Sequence, residues 1–281
     1  MTVFHSQKAE LNGNALLAAL QEAALAAGRV IMRYYEDGCA VYSKEDQSPV
    51  TEADRAAEAI ILAALATAAP QIPVVAEEEA AAGRLPAQLG RKFFLIDPLD
   101  GTREFLKRNG DFTVNIALID NGAPVLGLVY APTRNLLYLG GPDGAVELHT
   151  NAGHEAQQAR MIAARIAPPD PVAVCSRSHR TAQTDRFLHG NRLDQFISVG
   201  SSLKFCMIAR GEADIYPRFG PTMEWDTAAG DAVLRAAGGM TATFDGVPLT
   251  YGRRADGTMG GFANPDFIAY GAGGMPVFAG R

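Results

Sequence analysis

Cysteine is scarce in this chain of 281 residues: three occur, Cys39, Cys175 and Cys206. They are far apart and odd in number, which excludes a disulfide framework and the paired spacing of a zinc site, and fits a reducing cytoplasm. Basic charge is also short. Lys and Arg total 25 against 31 Asp and Glu, a formal net charge of −6, which argues against a general nucleic-acid binder. A local basic patch or a metal ion can still hold an anion on an acidic protein. Uninterrupted apolar runs of roughly 18 residues, the length of a membrane span, are missing. The stretch ALLAALQEAALAAG is broken by Gln21 and Glu22. Around it Leu17, Leu20, Ala24, Ala27, Ile31 and Tyr34 recur at helical spacing, which predicts an amphipathic helix and not a cleaved signal. No internal repeat is visible.

What is present is apolar residue: 48% hydrophobic against 20% charged suits a large core, in one domain or two intimate halves. A first helix is predicted over about 14–35, then a short strand over 40–42. Pro49 bars a helix, and Thr51 can cap a second one with Asp54 in its first turn and Ile60, Ile61, Ala64 and Leu65 facing the core. Val74 and Val75 read as a strand. KFFLID, FTVNIALID, VLGLVYAP and NLLYLGG are short apolar strands, with DNGAP as a hairpin turn, and predict an antiparallel sheet with helices on one face. IAPPDP (166–171) marks a boundary, dividing the chain into an α+β half, 1–167, and an α/β half, 168–281. In the latter VAVCS, FISVG and ADIYPR alternate as strands with three helical stretches. A final strand is expected near TMGGFAN. Two sheets sandwiched by helices, with a site in the cleft between halves, is the expected architecture.

The stretch DPLDGT, residues 97–102, ends the most apolar of these strands. Asp-Pro and Asp-Gly are ordinary turn pairs, and either acid alone could be a turn or cap residue. Two carboxylates three positions apart at a buried strand end repel one another, and a divalent cation relieves that repulsion. Oxygen ligands of this kind suit magnesium. Gly101 and Thr102 would open a helix with free N–H groups, an anion site by geometry. Further acids stand at comparable places: Glu77, Glu78 and Glu79 after PVVA, Asp54 at a helix start, and Asp226 after the single tryptophan. Each has a simpler reading as a solvated turn, a dipole partner or an N-cap. Together they suggest convergence on one cleft.

DPLDGTREF and EWDTAAGDAV resemble the two signatures of the inositol monophosphatase superfamily, which are magnesium-dependent, lithium-sensitive phosphomonoesterases. SPVTEAD and PVVAEE match its remaining metal-site segments, so the resemblance covers nearly the whole chain in order. KRNGDFTVNIALID, SRSH, GSSLKFC and YPRFGPT are similar to the bacterial 3'(2'),5'-bisphosphate nucleotidases, which convert adenosine 3',5'-bisphosphate to AMP and phosphate and clear a by-product of sulfur metabolism. The resemblance implies a layered α-β-α-β-α sandwich of the inositol monophosphatase and fructose-1,6-bisphosphatase type. It also implies two or three magnesium ions per site.

Carried over by position, Glu77 and Asp97 would hold the first metal, with the Leu99 carbonyl as a backbone ligand. Asp97, Asp100 and Asp226 would hold the second. Thr102 would donate to Asp54, and that pair would orient and deprotonate the attacking water. Which of the three glutamates is the ligand stays open; Glu77 is favoured by its offset from the strand. Glu77, Leu99, Asp100, Gly101, Thr102 and Asp226 would also touch substrate. Specificity falls to Arg177, His179, Gly200, Ser201, Ser202, Lys204, Arg218 and Glu224, several of which have competing structural readings. An inositol or sugar phosphatase, and an inactive phosphate-sensing protein, are the alternatives. The partner expected is a small-molecule nucleotide, with no nucleic acid and no transmembrane segment; a homodimer is left open. Some bacterial relatives associate loosely with the cytoplasmic face of the inner membrane, and nothing in these residues adds to that.

Overall fold

The computed structural model describes residues 13–44, 48–252 and 261–278. Helix α1 (Gly13–Asp37) leads through β1 (Val41–Ser43) and β2 (Pro49–Thr51), an antiparallel pair, to α2 (Glu52–Ala68). Thr51 and Asp54 form a capping box at the start of α2: the Thr51 hydroxyl accepts from the Ala53 N–H, and Asp54 accepts from the Thr51 N–H. By length and composition α1 could cross a membrane. Its Leu16, Leu20, Ala24, Ala27 and Ile31 are instead buried in an apolar cluster with Ile61 and Leu65 of α2, as in the core helix of a folded domain.

Next come β3 (Val74–Ala76), α3 (Glu77–Ala81), β4 (Lys92–Asp100), α4 (Thr102–Leu106) and the strands β5 (Thr113–Asp120), β6 (Ala123–Ala131), β7 (Leu136–Gly141), β8 (Gly144–Thr150) and β9 (Ala156–Ile162). The seven strands β3 to β9 lie in chain order in one sheet, antiparallel except for the β3–β4 pair. The DNGAP turn joins β5 to β6 through Asn121 and Gly122, both at positive φ. Alternation along β4 sends Phe94 and Ile96 toward α1 and α2, and Phe93 and Leu95 to the opposite face.

The rest of the chain gives β10 (Ala173–Ser176), α5 (Ala182–Gly190), β11 (Phe196–Val199), α6 (Leu203–Ala209), β12 (Ile215–Arg218), α7 (Glu224–Ala236), β13 (Met240–Thr243) and β14 (Phe267–Tyr270). The second sheet has the order β11-β10-β12-β14-β13. Its first three strands are parallel and its last two pairings antiparallel. Helices α6 and α7 pack against each other, and both contact strands of the two sheets, while α5 covers the outer face of the second sheet. The layers are therefore α1 with α2, the large sheet, α6 with α7, the small sheet, and α5: an α-β-α-β-α sandwich.

Several expectations need correction. Helices cover both faces of the first sheet, because β4 to β7 are apolar on both sides and need a second cover. Strands β8, β9, β13 and β14 went unforeseen; β9 is an exposed edge with a polar pattern that hides it. The strand expected near TMGGFAN falls partly outside the described residues, and its described end makes only an isolated bridge at Ala263. The closing strand is Phe267–Tyr270. The boundary expected at 167/168 lies in the connection between β9 and β10, and Phe93 and Leu95 share an apolar cluster with Val174, Phe205 and Phe267.

Helix α7 reaches the large sheet through glycine. Gly127 and Gly140 face each other across β6 and β7. A Cβ on Gly127 would lie 2.4 Å from the Ala229 carbonyl oxygen, and one on Gly140 2.4 Å from Val233 Cα. The neighbours are backbone and cannot step aside. Gly140→Ala is therefore expected to destabilise the fold by about 1–3 kcal/mol through overpacking, measured as a lower urea midpoint at unchanged slope; an unaltered midpoint would show that α7 is not held this closely.

Candidate active site

Strand β4 carries the stretch that raised the question of function. Pairing with β5 runs regularly from Lys92 to Asp97, then breaks, resuming only at Asp100 opposite Thr113. The bulge turns backbone and side chains out of the ladder between the two acids. Asp97 is buried, and its Oδ1 accepts from the Leu99 N–H at 3.0 Å. Gly101 follows at φ 96°, and a Cβ there would meet the Asp111 carbonyl oxygen at 3.0 Å, so glycine suits both the turn and the close approach.

These residues border a cavity of about 490 Å³. From the first half Glu77, Asp100, Gly101 and Thr102 line it; from the second, His179, Gly200, Ser201, Lys204, Arg218 and Asp226. Six of the residues named from sequence do not line it: Asp54, Asp97, Leu99, Arg177, Ser202 and Glu224. Asp54 stands behind Thr102, whose hydroxyl donates to Asp54 Oδ1 at 3.0 Å and lies 3.3 Å from the Leu99 carbonyl oxygen. Ser202 is buried between the acids. Its N–H and hydroxyl donate to Asp100 Oδ2 at 2.6 and 3.1 Å, and the hydroxyl also reaches the Asp226 carbonyl at 2.8 Å. Arg177 turns to Asp111, at 2.7 Å. Glu224, which could have been a solvated charge, is buried and accepts from the Gly252 N–H at 2.7 Å. Helix α4 has only five residues, so its dipole adds little at Gly101 and Thr102.

The three glutamates of α3 separate by partner. Glu79 pairs outward with Arg84. Glu77 and Glu78 share the Lys44 ammonium, each at 2.7 Å, and Glu77 alone of the three lines the cavity. Burial opposes the charge on Lys44, but Glu77 and Glu78 outweigh it and raise its pKa. Burial, reinforced by Glu77, pushes Glu78 up to about 7. Behind them Glu58, also raised to about 7 chiefly by burial, accepts from the Glu78 N–H at 2.9 Å.

The dominant electrostatic fact is mutual repulsion. Burial, then Glu77, Asp100 and Asp226, drive the Asp97 carboxyl well above its ordinary range, and Asp97 shares a hydrogen bond with Glu77. Burial, then Asp100 and Glu77, does the same to Asp226. Burial raises Asp100 as well, against the pull of Lys204 and its bonds to Ser202 and Asn115. A hydrogen bond between two carboxyl groups needs a proton between them, and a hard cation can replace that proton. Among the described residues no three acidic, His or Cys side chains close on one point, since the acids are engaged with Lys44, Ser202 and backbone N–H groups. An all-oxygen donor set of buried, mutually repelling acids fits magnesium, with water completing the shell.

Facing the acids is a basic cluster. Arg218 is buried, donates to the Pro221 carbonyl at 2.8 Å, and lies near His179. Lys204 is buried, donates to the Ser201 carbonyl, and stands 5.1 Å from the centre of the Tyr216 ring. Burial pushes its pKa down to about 8 against the attraction of Asp100. Burial, then Arg218 and Arg103, hold His179 down to about 4, so its neutral Nε2 can accept from Arg103 at 3.3 Å. Lys44, Glu58, Arg103 and Asn115 were not singled out from sequence. Asn115, an inward polar residue in an apolar strand, was the detectable one: its amide donates to Asp100 and to Ser202.

A five-layer sandwich with an acid-lined cavity at a bulged strand end defines the sugar-phosphatase architecture. Residues 14–262 match the profile of the inositol monophosphatase family, and the chain belongs to that family. It is 47% identical over 244 residues to the 3'(2'),5'-bisphosphate nucleotidase CysQ of Shigella flexneri, spanning 86% of this chain and 94% of that one. The Escherichia coli K12 protein of the same name is 46% identical over the same shares. Among solved structures, CysQ from Bacteroides thetaiotaomicron superposes with a TM-score of 0.75 at 39% identity, covering 92% of this chain and 97% of that one. Inositol monophosphatase from Anabaena (Nostoc) sp. PCC 7120 gives 0.70 at 27% identity, covering 92% and 91%.

An acid whose folded pKa is raised opposes folding when ionised. That cost sets in as pH rises through the unfolded value of about 3.9 and is complete above the folded pKa. In chelator, Asp97→Asn should therefore stabilise the protein at neutral pH, read as a higher urea midpoint than wild type, and magnesium should raise the melting temperature of wild type more than that of the variant. A variant less stable than wild type in chelator would show that the acids do not repel as described.

Proposed function

We propose that this protein is a magnesium-dependent 3'(2'),5'-bisphosphate nucleotidase that hydrolyses adenosine 3',5'-bisphosphate to AMP and phosphate. One observation carries the reading beyond the family: the cavity joins acids, Glu77, Asp100 and Asp226 with Asp97 buried behind them, to a basic cluster, Arg103, His179, Lys204 and Arg218. A substrate with two phosphates matches that division. One phosphate would sit at the acids, whose charge the cations would offset, the other against the basic side chains. The 47% identical relative bears the nucleotidase name, which supports the same reading.

The side chains that would hold the metals are Glu77, Asp97, Asp100 and Asp226, with the Leu99 carbonyl; the ions would number two or three. When bound, magnesium supplies charge neutralisation at the phosphate and makes a bound water more acidic. The protein supplies orientation and a base. Because Thr102 gives its proton to Asp54, its oxygen keeps lone pairs to receive a hydrogen bond from the attacking water. Burial raises the Asp54 carboxyl, held back by its bonds from Thr51, and so moves it toward a useful base. Lys204 and Arg218 would grip the phosphate that is not cleaved, with Gly200 and Ser201 beside them. Ser202 and Asn115 would act indirectly, by fixing Asp100. Three free thiols, two of them buried, fit a cytoplasmic location.

Phosphate release should require magnesium, stop in chelator, and favour adenosine 3',5'-bisphosphate over inositol 1-phosphate. Asp54→Asn should lower kcat by roughly 10²–10⁴-fold with little change in KM. Better turnover of the inositol ester would move the protein to the inositol phosphatases; full activity in Asp54→Asn would remove the proposed base.

A further inference from the structure

Asp111 lies outside the cavity and touches none of the four site acids, yet it is buried and collects partners from both halves of the chain. Its Oδ1 pairs with Arg134 at 2.7 Å. Its Oδ2 pairs with Arg177 at 2.7 Å and accepts from the Gly200 N–H at 3.1 Å. Arg177 follows β10 and stands two residues before His179; Gly200 follows β11 and stands one before Ser201. One carboxylate thus ties down both strand-end loops that form the second half's wall of the cavity. The fit is close: a Cβ on Gly200 would lie 2.6 Å from the Asp111 carbonyl oxygen and 2.7 Å from Glu104 Cγ. Beside it, Glu104 is buried in α4 and accepts from the Ser178 hydroxyl, so the segment after DPLDGT is joined to the same wall twice.

We propose, resting on the nucleotidase reading, that Asp111 is a positioning residue for selectivity: it sets His179, Ser201 and Lys204 at the distance from the acids that a second phosphate requires. Glu77, Asp97 and Asp100, with the Asp54–Thr102 pair, belong to the first half, and Asp226 is tied to them through Ser202. Ser202, two residues beyond Gly200, has its own anchors on Asp100 and the Asp226 carbonyl, so loosening the Asp111 tie shifts the wall ahead of that anchor, which meets the uncleaved phosphate, and leaves the reacting end in place. The same geometry makes Arg177 an agent of Asp111 and not a substrate contact, since its guanidinium also donates to the Ser198 carbonyl at 3.0 Å and does not line the cavity. Both guanidinium groups keep access to water, with side chains 41% and 45% exposed, so the loss of their shared carboxylate leaves no cation buried.

The test is steady-state kinetics of the magnesium-loaded enzyme with adenosine 3',5'-bisphosphate and with adenosine 3'-phosphate, which lacks the second phosphate. Asp111→Asn should raise KM for the bisphosphate about tenfold or more, keep kcat within about twofold, and leave KM for the 3'-phosphate unchanged. Arg177→Ala should show the same split, and its effect should not multiply with that of Asp111→Asn in the double variant. Equal loss on both substrates, or a fall in kcat alone, overturns the proposal, as does full multiplication of the two effects. Should Asp111→Asn not fold, the Arg177→Ala substrate split decides by itself. A wild-type enzyme with no preference for the bisphosphate removes the nucleotidase reading; a preference that survives Asp111→Asn removes only the role of Asp111.

Discussion

Four carboxylates held together in a partly dry cleft constrain everything else in this molecule. A buried charge is costly unless paired, and like charges within reach raise the cost further. Glu77, the Asp97–Asp100 pair and Asp226 come from three separate stretches of the chain, and the fold keeps them together although Glu77, Asp100 and Asp226 raise the pKa of Asp97, and Asp100 and Glu77 that of Asp226. Neighbouring donors offset part of that cost. Lys44 pairs with Glu77 and Glu78, and the hydroxyl of Ser202 and the amide of Asn115 donate to Asp100. Each offsets only part of the repulsion, and an all-oxygen set of repelling acids is one that a divalent cation suits.

Such an arrangement persists only if its supports are stiffer than the repulsion they resist. The apolar layers provide that stiffness. Strand β4 is buried on both faces up to its bulge, so Asp97 and Asp100 project from a strand that cannot shift to relieve them. Helix α7, which brings Asp226, is seated in the flat track left by Gly127 and Gly140. Asp226 is further fixed by accepting from the Met223 N–H at 2.8 Å. Close packing thus holds the acids at a spacing that electrostatics alone would widen.

Much of this was readable in advance, for a physical reason. Acids brought together in the interior stand at a strand end and a helix start, and DPLDGT and EWDTAAGDAV write both into short contiguous stretches. Strand and helix periodicity gave most elements, because β4 to β7 and α1, α2 and α7 bury continuous faces. What escaped was of two kinds. Edge strands such as β9 have no apolar alternation to detect. Contacts such as Lys44 with Glu77, Asn115 with Ser202, and Arg177 with Asp111 join residues 33, 87 and 66 positions apart, and no local pattern encodes them. Arg177 shows the consequence. A basic residue after a strand in an α/β half suggests a ligand contact, and only the folded chain reveals the buried carboxylate that claims it.

Reaction and recognition are consequently built from different materials. On the proposed reading the reacting end would rely on a short contiguous motif, a bulge and a glycine turn, and would tolerate little displacement because Thr102 would have to face both Asp54 and the attacking water. The recognising end relies on side chains from loops after β10 and β11, whose own backbone is free to vary. Loops alone would give poor discrimination between a phosphate and a hydroxyl at the same place. The ties from Asp111 and Glu104 convert those loops into a wall fixed to the catalytic segment. The motif accordingly identifies the reaction more sharply than it identifies the substrate.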